Sequence, residues 1–412
     1  MMSQDDKNTS VFLDGDLSHA ESRKGGEFFS RKERIDRKGW KHVKLGDVCD
    51  LKNGYAFASE SYVSRGKYFV ITIANVQDGR FVIGDETNKI NSMPIDVQKH
   101  QILKKGNLLI SMTGNVGRVC VVDRNDCLLN QRVGLLEVNN TVDKTFIYYR
   151  LQHFDFQQKM ISAGKGGAQP NIGKHDILGF EFDLPEIPEQ KAISKSLSCI
   201  NHLIFSLQNL AFKYEAIKKA TVNLLLAPRE DWRQIRLGDI GEVSMCKRIL
   251  KSQTSATGDV PFFKIGTFGK QPDAFISRTL FEDFKRRFSY PKVGNVLLSA
   301  AGTIGRTVVF NGENAYFQDS NIVWIANDES IISNPFLNVI YSQINWQTEN
   351  GGTVSRLYNA NIQNTIVSIP NLDEQKRIVK ILDSIDDTII GLKAQLAKSQ
   401  DIKQGMMSYF FG

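Results

Sequence analysis

An α+β fold in two tandem, similar domains, each followed by a long helix, is what the sequence predicts. Three features carry the prediction: a long-period duplication, short strand-like runs between turn residues, and two stretches of heptad-spaced apolar residues. The length of 412 residues fits, because single cores stop growing near about 250–300 residues.

The duplication has three matched blocks. Trp40-Lys-His-Val-Lys-Leu45-Gly46-Asp47-Val48 recurs as Trp232-Arg-Gln-Ile-Arg-Leu237-Gly238-Asp239-Ile240, at an offset of 192. Gly106-Asn107-Leu-Leu-Ile-Ser111, leading to Gly114, Gly117 and Arg118, recurs as Gly294-Asn295-Val-Leu-Leu-Ser299, leading to Gly302, Gly305 and Arg306, at an offset of 188. The third block runs without a gap from Gly166-Gly167 through Ile177, Pro185 and Glu189-Gln190-Lys191 to Ile193. It returns from Gly351-Gly352 through Ile362, Pro370 and Glu374-Gln375-Lys376 to Ile378, at an offset of 185. Blocks in the same order with slowly drifting offsets mean one module duplicated with small loop deletions, and the period is too long for a solenoid.

Each copy opens with a mixed domain, residues 40–188 and 232–370. Strands are expected at Tyr68–Ile73, Asn107–Ser111 and Val119–Val122, with Gly, Asn and Asp between them. Prolines close both domains at Pro185, Pro188 and Pro370, and the pattern then turns helical over 189–231 and 371–412. Ile193, Leu197, Ile200, Ile204 and Leu207 alternate at spacings of four and three. Ile378, Leu382, Ile385, Ile389 and Leu392 repeat them in phase. Glu189 and Glu374 suit the positive end of a helix dipole, Asp373 is a plausible N-cap, and Pro228 is expected to end the first helix. Each helix would be roughly 50–60 Å long. The apolar stripes exceed what a small domain covers, so the helices are expected to pair with each other as an antiparallel coiled coil of pseudo-two-fold symmetry.

Composition excludes several function classes. Hydrophobic residues make up 41% and charged residues 24%, an ordinary globular balance. Cys49, Cys120, Cys127, Cys199 and Cys246 form no CxxC pair and no Cys/His cluster of zinc spacing, so no metal is expected. No run approaches eighteen apolar residues, and the start is polar, so a cytoplasmic location is expected. The net charge of +7 is shared, with +2 over 40–188 and +3 over 232–370, so no region is a dedicated basic arm.

Catalytic signatures are missing. Ser111-Met-Thr-Gly114-Asn-Val-Gly117-Arg118 lacks the Gly-Lys-Ser/Thr ending of a phosphate loop and reads as a tight turn. Asn334-Pro335 reads as a helix start with proline at its first position. Candidate DNA contacts are Lys247, Arg248 and Lys251 in a loop, Lys285, Arg286 and Arg287 between two phenylalanines, Arg118 and Arg306 after equivalent turns, and Lys165 and Arg356 in Gly-rich segments. Structural roles compete for each: a solvated helix face for 285–287, turn support for the two arginines. The tail, residues 1–39, either forms a helix on a partner or stays mobile.

Together these motifs resemble the specificity subunit of type I restriction–modification enzymes. The match rests on Leu45-Gly46-Asp47 and Leu237-Gly238-Asp239, on the Gly-Asn-…-Ser…Gly-x-x-Gly-Arg segments, on Gly167-Ala-Gln169-Pro-Asn171-Ile172, and on the two Pro-x-x-x-Glu-Gln-Lys closures; it covers about residues 40 to 412. Asn107 and Asn295 stand where that family often has Asp. The resemblance implies two target-recognition domains, each reading half of a bipartite double-stranded DNA site, with the helices as ruler and as platform for two methyltransferase subunits. Restriction/translocase subunits complete the complex, and S-adenosylmethionine, ATP and magnesium are bound by those partners. Outside the shared blocks the copies diverge, so the target is expected to be asymmetric, with half-site centres about 10–11 bp apart. The competing readings are a stand-alone DNA-binding protein without enzyme partners and a protein-interaction scaffold. Co-purification with a methyltransferase subunit separates the first, and steeply salt-dependent duplex binding argues against the second.

Overall fold

The computed structural model describes residues 37–77, 79–164, 170–346 and 356–412. Residues 1–36 and Lys165 lie outside the described residues, and so do both Gly-Gly pairs. The described chain divides into two compact units, one comprising residues 37–207 and 395–412, the other residues 208–394.

The first unit starts with β1 (Lys41–Lys44), a single helical turn α1 (Leu45–Val48) and β2 (Cys49–Asn53), followed by β3 (Tyr68–Ile71), β4 (Val76–Gln77), β5 (Arg80–Phe81), β6 (Lys89–Ile90) and β7 (Ile102–Leu103). Then come β8 (Leu108–Ser111), β9 (Val119–Val121), β10 (Cys127–Leu129) and β11 (Val133–Val138), the helices α2 (Lys144–Gln152), α3 (Phe154–Ala163) and α4 (Lys174–Leu178), and β12 (Glu181–Leu184). Two four-stranded sheets form, ordered β2-β11-β8-β9 and β6-β3-β10-β7; β1 pairs separately with β12. The first is antiparallel, and the second includes the parallel pair β3/β10.

Strand β8 shows why three layers result. Side chains alternate across a strand, so Leu108 and Ile110 enter the core shared with the helices, while Leu109 enters the core between the sheets. All four β8 residues are buried. The apolar run is therefore continuous, as expected for a strand covered on both faces.

The second unit repeats this plan with β13 (Arg233–Arg236), β14 (Val243–Met245), β15 (Val260–Phe263), β16 (Phe275–Ile276), β17 (Val296–Ser299), β18 (Thr307–Val309), β19 (Tyr316–Phe317), β20 (Ile322–Ile325) and β21 (Ile366–Ile369). Its sheets are β14-β20-β17-β18 and β16-β15-β19, with β13 against β21. Val296 and Leu298 face one core and Leu297 the other, as in β8. The copies differ after β6 and β16: the first continues through a 3₁₀ turn into β7, whereas the second carries a ten-residue helix, Arg278–Arg287, capped by the Ser277 side chain.

The long helices are Ile187–Leu225 and Leu372–Phe411. The first stops three residues before Pro228, whose ring disfavours helix in the residue it follows. Asp373 is not the N-cap of the second. Asn371 accepts the Glu374 N–H at 3.0 Å, and Asp373 falls in the first turn. The strand expected to reach Ile73 stops at Ile71, because the Asn75 side chain folds back onto the Thr72 N–H and starts a 3₁₀ turn.

Within each unit the two helices lie antiparallel. In the second, Arg229 meets Glu374, Lys218 meets Asp386 and Glu215 meets Lys393, so numbers fall on one helix as they rise on the other. In the first, Asn201 meets Lys403, while Ile193 and Leu197 share a core with Met407 and Phe411. Ile193, Leu197, Ile204, Leu207, Ile378, Leu382, Ile389 and Leu392 are buried, and Ile200 and Ile385 are half-buried. Ile193, Leu197, Ile378 and Leu382 also fill the domain cores, so each seam begins as domain packing.

A buried glutamine joins each helix to its domain. Gln190 accepts from the Asp143 N–H at 2.8 Å and donates to the Pro185 carbonyl at 2.7 Å. Gln375, fully buried, accepts from the Ser333 N–H at 2.9 Å and donates to the carbonyls of Ile331 and Pro370, both at 3.0 Å. These are the Gln residues of the two Pro-x-x-x-Glu-Gln-Lys closures.

Candidate nucleic-acid interface

In each domain three segments meet at the end of the central strand, β8 or β17. In the first domain, the turn after β8 receives hydrogen bonds from its neighbours. The Ile172 N–H donates to the Met112 carbonyl at 2.9 Å, and the Met112 N–H donates to the Arg132 carbonyl at 3.0 Å. In the second, the Leu357 N–H donates to the Ala300 carbonyl at 2.9 Å, and the Ala300 N–H donates to the Asn321 carbonyl at 2.8 Å. The same ladder is thus built twice from different side chains.

The turns themselves follow from the shared sequence. Gly114 and Gly117 have φ of 71° and 81°, and Gly302 and Gly305 have φ of 65° and 86°, which side chains disfavour. Ser111 and Ser299 close them, each donating its hydroxyl within the turn and accepting the N–H of Arg118 or Arg306.

The second domain brings most of its candidate cations together. Lys247 and Arg287 each lie 5.2 Å from the Phe288 ring centroid, which joins the 247–251 loop to the basic end of the ten-residue helix. Arg248 pairs with Asp319 at 3.2 Å, and Arg356 donates to the Ser320 carbonyl at 3.1 Å, so both converge on residues 318–321. Ser320 has φ of 54°, a left-handed conformation that non-glycine residues adopt at a cost and that clusters at functional sites.

The individual cations differ in freedom. Lys285 lies over the rings of Phe281 and Tyr290, Arg286 and Arg287 pair with Asp283 at 3.3 and 2.8 Å, and all three are exposed. Lys251 is exposed on a 3₁₀ turn. Arg306 donates to the Phe268 carbonyl at 3.0 Å and so braces a neighbouring loop. Arg118 is half-buried beside its own turn.

Sequence reasoning missed the middle segment, Asn130-Gln131-Arg132 in one copy and Gln318-Asp319-Ser320-Asn321 in the other. Gln131 and Arg132 are exposed on the first domain. The signal was partial: the offset of 188 that aligns the preceding block also aligns Asn130 with Gln318, but the place of Arg132 is taken by Asn321, one residue further on. A second pair was missed as well. Arg37 and Arg229 stack 5.4 and 6.0 Å from the Trp40 and Trp232 centroids, and their partners differ: Asp183 for the first, Glu374 for the second.

Four of the five cysteines are buried. Burial pushes the thiols of Cys49, Cys127 and Cys246 up to about 12 and that of Cys120 higher, away from the reactive thiolate. Among the described residues no cluster of three or more His, Cys, Asp or Glu side chains could hold a metal ion, and no helix is long and apolar enough to cross a membrane.

A family model described as the type I restriction modification DNA specificity domain matches residues 37–210 and, again, 229–402. The chain belongs to this family. A putative type I restriction enzyme specificity subunit of Haemophilus influenzae is 40% identical over 293 residues, 68% of this chain and 74% of that protein. The MjaVIII specificity subunit of Methanocaldococcus jannaschii is 26% identical over 194 residues, 45% of each chain. In fold, the chain is similar to the S subunit of a type I restriction–modification system from M. genitalium, with a TM-score of 0.61 at 17% identity, covering 91% of this chain and 96% of that one. As a type I specificity protein the chain is a DNA reader, and its two matched segments are the two copies found in the sequence and the fold.

Proposed function

We propose that the chain reads an asymmetric, bipartite site in double-stranded DNA, one half with each domain, and carries no catalytic chemistry of its own. The observation behind this is the pair of equivalent hydrogen-bonded frames with unlike side chains, Gln131-Arg132 in one and Asp319-Ser320-Asn321 in the other. Like frames with unlike readers suit two different half-sites. Two methyltransferase subunits bind the helices, restriction/translocase subunits join them, and S-adenosylmethionine, ATP and magnesium belong to those partners, in the cytoplasm.

The methyltransferase platform has a physical basis. Leu203, Leu210, Ile217 and Leu224 recur every seven residues on the first long helix, 41–72% exposed, and Phe205 and Phe212 stand beside them at 60% and 73%. Apolar residues beside a paired seam widen it into a face on which a further helix packs. Methylome mapping of cells expressing the chain with its partner subunits tests the whole reading. Adenine methylation at one split motif is expected, and its absence would count against the proposal. Removing one heptad from both helices should shorten the spacer of that motif.

The basic helix end offers a separate test. Replacing Lys285, Arg286 and Arg287 with alanine should weaken duplex binding across all sequences. It should also flatten the dependence of log K on log salt, by about one unit for each phosphate that is no longer neutralised. Measured by anisotropy titration at several salt concentrations, an unchanged slope would remove these residues from the interface.

A further inference from the structure

The helix seam contains one lysine per copy, at the same place. Heptad counting puts Leu197, Ile204, Ala211 and Lys218 in one line, and Leu382, Ile389, Leu396 and Lys403 in the equivalent line. Lys218 Nζ lies 2.6 and 2.9 Å from the two carboxylate oxygens of Asp386. Lys403 Nζ donates to Asn201 Oδ1 at 2.9 Å and sits 5.9 Å from the Tyr149 ring centroid. The offset of 185 relates Lys218 to Lys403, and Asn201 to Asp386. One polar pair has therefore been duplicated, with its acceptor a carboxylate in one copy and an amide in the other.

We propose that Lys218 and Lys403 are register pins, which hold the helix pair to a single alignment and thereby set the spacer between the half-sites. The spacer consequence rests on the two-half-site reading; the alignment consequence does not. A lone polar residue in an apolar seam lowers stability and rejects alignments that leave it unpaired.

The sequence shows what each wrong alignment meets. A slip of one heptad in one direction sets Lys218 against Val379 and Lys403 against Ser194. In the other direction it sets Lys218 against Lys393 and Lys403 against Gln208. A parallel pairing brings Lys218 against Lys403 itself. Every alternative leaves the Lys218 ammonium without its carboxylate, in a site where its side chain is only 19% exposed. Burial also lowers the Lys403 pKa, so its amide partner is the weaker pin. One heptad is about 10.5 Å of helix, close to three base pairs of duplex at about 3.4 Å each.

Cross-linking the full-length chain reads alignment directly. Cys199 is exposed and the other four cysteines are buried, so Cys199→Ser leaves a quiet background. Glu215→Cys with Lys393→Cys reports the native alignment, since those side chains meet at 3.0 Å. Glu215→Cys with Gln400→Cys reports a one-heptad slip. With a short bis-maleimide, the chain carrying both lysines should link only the first pair. The Lys218→Met/Lys403→Met variant should link the second pair as well, because methionine fills the seam without demanding a counter-charge. In duplexes of graded spacer length, the same variant should lose about tenfold of the discrimination between the best spacer and one three base pairs away, whereas Lys218→Arg/Lys403→Arg keeps it. Linking at the native pair alone in a folded methionine variant overturns the pins. If that variant does not fold, Lys218→Asp/Asp386→Lys decides: native-only linking regained relative to Asp386→Lys alone supports them, and no recovery sinks them. A chain carrying both lysines that shows native-only linking but no spacer preference counts against the two-half-site reading and leaves the pins standing.

Discussion

Replacing Gln375 with leucine is expected to destabilise the second unit by about 2–4 kcal/mol. Leucine matches the glutamine in size, so little packing is lost. The Ser333 N–H and the carbonyls of Ile331 and Pro370, however, are left buried with one partner fewer. Urea unfolding followed by a probe in that unit gives the measurement, and a change under about 0.5 kcal/mol would show that water or a local shift replaces the clamp. Gln375→Glu adds a sign. The ionised carboxylate accepts from Ser333 but cannot donate to the carbonyls, so this variant should be more stable near about pH 5 than near about pH 8, since only the protonated acid donates. Gln190→Leu should act similarly on the first unit, with two hydrogen bonds at stake. The functional consequence concerns stiffness: the glutamine couples the start of each helix to the domain that reads DNA.

Phe411→Ala should cost about 3 kcal/mol, within the range for large-to-small changes in a core. Phe411 is 5% exposed and meets Phe146 edge-on at 5.6 Å, His153 at 5.9 Å and the Arg150 guanidinium at 5.6 Å. Arg150 is itself 6% exposed and bound by both Asp155 oxygens, at 2.6 and 2.7 Å. The burial of Asp155 opposes ionisation, but hydrogen bonds from His153 and Arg150 outweigh it and hold the carboxyl well below the usual range. Removing the ring exposes this charge cluster to water. Hydrogen exchange should therefore quicken over residues 144–163 while the sheet β14-β20-β17-β18 keeps its protection. Phe411→Leu should retain most of the stability. Uniform loss of protection across both units would show instead that they unfold as one.

The duplication, the α+β plan and the two long helices were legible because each leaves a periodic trace. Repeats show as constant offsets, strands as short apolar runs and helices as a spacing of three and four. Local signals failed where side chains overrode them. Asn371 rather than Asp373 caps the last helix, and Asn75 cuts one strand short. The candidate site was legible only in part. Lys247, Arg248, Arg287 and Arg356 were visible as cations, yet nothing linear shows that they gather around Phe288 and residues 318–321. In the sequence Arg306 reads as a DNA contact as readily as a turn support, and nothing linear shows that its guanidinium reaches the Phe268 carbonyl.

The family, the two-copy architecture and the heptad line that contains Lys218 and Lys403 follow from residue identity and spacing, which are one-dimensional properties. The tertiary structure adds that the motif glutamines are buried clamps, that three separate segments are hydrogen-bonded into one edge in each domain, and that each seam lysine has a partner on the opposite helix. The physical reason is common to all three. A hydrogen bond or ion pair is satisfied across space, for Asn201 and Lys403 by groups 202 residues apart in the chain, and periodicity is blind to that distance.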